Sequence, residues 1–177
     1  MKKIFKICVI TIIAISGKYA VHGTGNGLID PMDKLNLENV ARNIHLNNTI
    51  VRTNLDNFTT LERKKEAVII MLSASDTSYA TTIILNCSGF DEGTKEGCVK
   101  KAVITILNND LRFTPENSIR AMIETGFVNK NWIDEKANAF LDKLKTKLQN
   151  ARERETEKIE SSIKHLNKVL SFEYFGY

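Results

Sequence analysis

Residues 76–109, DTSYATTIILNCSGFDEGTKEGCVKKAVITILNN, decide whether this chain is all-helical. Thr81, Thr82, Ile83 and Ile84 are β-branched and suit a strand. Yet Tyr79, Ile83 and Cys87 share a helical face, and Ser75 or Asp76 can cap it. Val99, Ala102, Val103, Ile106 and Leu107 give a cleaner helical face beyond the turn. The stretch therefore reads as two antiparallel helices, 76–87 and 98–109. A β-hairpin is the rival, because short apolar runs leave the period ambiguous. Between them, residues 88–97 hold three glycines, with the acids Asp91 and Glu92 between the first two, and read as a turn.

Cys87 and Cys98 bracket that turn. An even pair in an exported chain is most simply a disulfide, here closing a loop of ten residues. A metal pair wants shorter spacing, and a nucleophile wants a partnered histidine that no local signature supplies.

Upstream, Leu37, Val40, Ala41 and Ile44 mark a helix near 33–46. Val51, Leu55 and Phe58 suggest another turn or two. Leu61, Val68, Ile69 and Leu72 mark a helix over 60–73 with Thr60 as its cap, buried on most sides. Downstream, Thr114-Pro115-Glu116 is a helix start, and Gly126 is the matching left-handed stop. Trp132 to Ser171 carries a long apolar stripe, Ile133, Ala137, Phe140, Leu141, Leu144 and Leu148, then Ile159, Ile163, Leu166 and Leu170. It is one long helix, or two broken near Arg152–Glu157. The expected fold is an all-α, single-domain bundle of five to seven helices over residues 33–171, with a long C-terminal helix.

The N-terminus carries a different message. Lys2, Lys3 and Lys6 precede an apolar run of nine residues, Ile7 to Ile15, broken only by Thr11. Ser16, Gly17, Ala20 and Gly23 follow. Basic, then apolar, then small is the layout of a signal peptide. Nine apolar residues fall short of the roughly twenty that span a bilayer as a helix. Residues 1–23 are thus expected to be removed, with cleavage near Ser16, Ala20 or Gly23, leaving a flexible lead-in over 24–32 and no transmembrane anchor. The expected address is secreted or extracytoplasmic.

Removal also takes away the charge. The full chain has 25 basic and 21 acidic side chains, but Lys2, Lys3, Lys6 and Lys18 all lie in the first twenty residues. The remainder is neutral, which argues against a nucleic-acid or anionic-membrane partner.

Chemistry-bearing motifs are scarce. His22, His45 and His165 are far apart in sequence and none lies in a metal or triad spacing. His22–Gly27 is glycine-rich but follows the signal rather than a strand, with no Lys-Ser/Thr pair. The mixed run Arg152–Lys158 reads as a solvated helix face. No catalytic, cofactor or metal residue is expected. Three glycosylation sequons start at Asn47, Asn57 and Asn86; asparagine is common enough here to produce them by chance, and Asn47 and Asn57 are the better acceptors. The final residues 172–177 concentrate aromatics. Phe172, Tyr174, Phe175 and Tyr177 either fold back over the core or serve as a partner contact or lid.

These readings point to an exported, non-enzymatic helical binding protein holding an apolar small molecule or another protein. The alternative is an extracellular surface or host-directed interaction protein, and a small secreted enzyme is the third choice.

Overall fold

A computed structural model describes residues 28–42, 46–75, 79–108, 115–151 and 153–174. Among these residues all regular structure is helical, in eight helices: α1 (Pro31–Ala41), α2 (Asn48–Leu55), α3 (Leu61–Ala74), α4 (Tyr79–Leu85), α5 (Glu92–Asn108), α6 (Pro115–Glu124), α7 (Lys130–Gln149) and α8 (Glu153–Ser171). The signal region 1–23, Phe175 and Tyr177 lie outside the described residues.

The helix starts follow from side-chain capping, which satisfies backbone N–H groups that have no partner inside the helix. The Asp30 carboxylate accepts from the Met32 and Asp33 amides at 2.9 Å, with Pro31 opening α1. Asn47 accepts from Ile50 at 3.1 Å, Thr60 from Arg63 at 3.3 Å, and Asn129 from Trp132 at 2.9 Å. Gly126 ends α6 with φ +80°, and its amide donates to the Ile123 carbonyl at 2.9 Å. That backbone conformation carries no penalty only where there is no Cβ.

The ambiguous stretch is helical on both sides, and the β-hairpin is not formed. The turn is shorter than residues 88–97, however. Asp91 Oδ1 accepts from the Thr94 amide at 2.7 Å and starts α5 at Glu92. Gly93 and Gly97 therefore lie inside a helix, despite the roughly 1 kcal/mol that each costs against alanine. Only Gly89, at φ +83°, does a turn's work.

The count of eight exceeds the expected five to seven because α2, expected as another turn or two, is a helix of its own and the final stripe is two helices. The break falls between Gln149 and Glu153, at the start of the expected stretch. Asn150 and Ala151 donate back to Lys147 and Leu148 as α7 ends.

α3 and α5 form the centre. Val68, Met71 and Leu72 from α3 meet Val99, Val103 and Ile106 from α5, all fully buried, with α1 on one side and α6 and α7 on the other. Ile119 and Met122 bring α6 into the same core. α8 returns along α7 and reaches the core through Leu166 and Val169. The buried residues of α7 end at Leu141. The last eight residues of α7, about 12 Å of helix, therefore run with the start of α8 beyond the most buried layer. No described helix is long and apolar enough to cross a membrane.

Candidate functional site

The hairpin of α7 and α8 carries a run of half-buried apolar side chains beyond the core, whereas the most exposed large apolar side chains among the described residues, Leu28, Met32, Leu35, Leu61 and Leu85, lie elsewhere. Leu144, Leu148, Ile159 and Ile163 lie on its seam and are all half-buried. Two helices pair along one line only, so the seam stays open on either side unless further helices cover it. A groove of about 690 Å³ follows it, lined by Leu144, Lys147 and Ala151 from the α7 end and Glu155, Ile159 and Ser162 from α8. Its floor is apolar, while Lys147 and Lys158 line it from opposite helices. A second groove of about 530 Å³ borders Leu148, Ile163 and Lys164. The apolar stripe was readable from sequence. The break between α7 and α8 was readable only as one of two alternatives, and without it the stripe looks like the seam of one long helix.

The cysteines need a correction. Both are free buried thiols in this structure, so the expected disulfide is not formed in it. Each sulfur points elsewhere. Cys87 Sγ donates to the Ile83 carbonyl at 3.2 Å, and Cys98 Sγ lies 3.9 Å from the Lys65 carbonyl on α3. Burial pushes the Cys87 thiol up to about 12; the nearby Cys98 adds to this and Lys95 opposes it. Burial also raises Cys98, against the pull of Lys101 and Lys65.

The sequons divide sharply. Asn86 is buried, its Nδ2 donating to Asn48 Oδ1 and to the Thr82 carbonyl, both at 2.8 Å, while Arg52 Nε donates to its Oδ1 at 2.8 Å. That nitrogen is the glycan acceptor, so the folded chain withholds it. Asn47 and Asn57 are exposed at either end of α2, and Asn47 uses its oxygen for the cap.

In the tail, Phe172 and Tyr174 are half-buried against the core. Their rings are 6.4 Å apart, and the Arg120 guanidinium lies 5.2 Å over Phe172. His165 is buried in α8 with Nε2 3.0 Å from the Ile106 carbonyl, a structural tie between α8 and α5. His22 and His45 lie outside the described residues. Among the described residues no group of three His, Cys, Asp or Glu side chains could hold a metal. Comparison with known proteins finds no match among family models, curated proteins or solved structures.

Proposed function

We propose that the chain is an exported, non-enzymatic helical binding protein, and that its site is the groove along α7 and α8. One observation carries this reading: apolar Leu144, Ala151 and Ile159 floor an open groove of about 690 Å³ that, among the described residues, only α7, α8 and their connection line. That volume falls within the roughly 300–1,000 Å³ of small-molecule sites, so the favoured occupant is an apolar small molecule. Export rests on residues 1–23, and an oxidising destination is where Cys87 and Cys98 would pair.

A partner helix laid along the same seam is the second reading, favoured by Leu148 and Ile163 on the opposite groove. It is the form that a surface or host-directed protein would use. Thermal unfolding across a lipid panel, comparing wild type with Ile159→Asp, tests the first reading. A stabilising lipid whose effect vanishes in Ile159→Asp supports it. A panel with no shift, alongside pull-down of a protein that Ile159→Asp loses, replaces it with the second.

A further inference from the structure

A third groove, of about 350 Å³, lies between α3 and α5, and Cys98 lines it. Its other walls include Lys65, Lys101, Asp91, Gly93 and Gly97. The two glycines stand one turn apart on α5. A Cβ at Gly97 would meet nothing within 4 Å, and one at Gly93 only Asp91 Oδ1 at 3.9 Å. Tight packing therefore does not explain them; they leave room beside the sulfur. Cys87 does not line this groove and turns its Sγ back toward Ile83. The two cysteines are still close enough that charge on Cys98 is felt at Cys87.

We propose that this groove admits a small anionic disulfide such as glutathione disulfide, with Cys98 the attacking thiol and Cys87 the resolving one. The proposal goes beyond the α7–α8 reading. It rests on the oxidising destination, and it gives the order in which the pair would close.

Cys98 first releases its proton to solvent, and its thiolate attacks one sulfur of the glutathione disulfide. The bond between the two glutathiones breaks, a Cys98–glutathione bond forms, and one glutathione leaves as a thiolate. Cys87 then loses its proton and attacks the Cys98 sulfur. The Cys98–glutathione bond breaks, Cys87–Cys98 forms, and the second glutathione leaves. Two protein thiols are oxidised and one glutathione disulfide is reduced to two glutathiones.

Charge favours this order. Burial raises the Cys98 thiol, and within that Lys101 and Lys65 both favour its thiolate while Glu62 opposes them. Lys65 is shared, its Nζ lying 2.9 Å from Glu62 Oε1 and its charge also reaching Asp91. Lys101 is therefore the cleaner handle on an incoming anion. Cys87 lies outside the groove and its thiol is pushed up to about 12 by burial, so it is suited to act second on a sulfur already brought beside it.

The test incubates the reduced, folded protein with glutathione disulfide, quenches with acid and iodoacetamide, and maps the adducts by mass. Wild type should pass through one glutathione per chain and finish as a disulfide. Cys87→Ser should keep one glutathione on Cys98, and Cys98→Ser should take none over the same interval. Lys101→Glu should slow the reaction with glutathione disulfide by about tenfold while leaving that with uncharged hydroxyethyl disulfide unchanged. An adduct on Cys87 in Cys98→Ser at the wild-type rate, an unmodified Cys87→Ser, or equal slowing with both reagents overturns the proposal. If a variant does not fold, wild type quenched early decides it: the first adduct maps to Cys98, or to Cys87 and the order is wrong. Closure with no adduct on Cys98 rejects this route but keeps the disulfide, whereas no closure rejects both.

Discussion

At the residue scale, Asn86 shows how a motif and its environment can disagree. The letters Asn-Cys-Ser make a sequon, but Asn86 Nδ2 is committed to Asn48 and Thr82 inside the fold. Arg52 completes the cluster, tying α2 to the end of α4. Replacing Asn86 by Ala strands those partners, and an unsatisfied buried polar group costs about 1–3 kcal/mol. Urea unfolding should show a loss of that size, whereas Asn57→Gln on the exposed turn should move the midpoint little. Cys87 gives a second residue-scale expectation. Its folded thiol is pushed up to about 12, so in reduced protein the unfolded chain loses that proton first, near the ordinary thiol value of about 8.5. The stabilising contribution is present below that value and is lost as pH rises toward 12. Chemical denaturation of reduced protein between pH 8 and 11 should therefore show a falling limb that Cys87→Ala flattens.

At the element scale, the decisive device is the start of α5. Asp91 caps it, and hydrogen bonds from the Thr94 side chain and amide hold its carboxyl below the usual carboxylate value. A lowered carboxylate stabilises above its unfolded value, and the effect disappears as pH falls through the folded one. Asp91→Ala should lower stability at neutral pH, with wild type and variant converging on acidification; paired urea titrations across the acid range check this. The same element marks what sequence could show. Thr60 as the cap of α3, Gly126 as the stop of α6 and the buried faces of α3 and α5 were legible, because capping and periodicity are local physics. The true start of α5 was not, since three glycines in ten residues outweigh one aspartate in any local reading, and only the burial of Val99, Val103 and Ile106 farther along α5 offsets two helical glycines. The break between α7 and α8 was legible only as one of two alternatives, near Arg152–Glu157, because no glycine or proline marks it. For the α7–α8 groove, the apolar residues were visible in sequence but the shape was not.

At the scale of the whole molecule, burial is unevenly distributed. Ile106 is fully buried where α5 meets its neighbours, so Ile106→Ala should cost about 2–5 kcal/mol. Leu148→Ala, on the half-buried seam, should cost much less while weakening whatever binds there. This contrast is what a binding seam requires: a core that holds the hairpin's base, and an arm whose apolar side chains contribute little to folding. The most direct measurement is native mass spectrometry of the protein purified from its own source, beside the Ile159→Asp variant prepared in the same way. The account predicts that wild type retains an apolar small molecule and that the variant, folded and otherwise identical in mass, has lost it. Wild type carrying no such molecule, or a variant retaining it equally, would contradict the assignment of the α7–α8 groove as a small-molecule site.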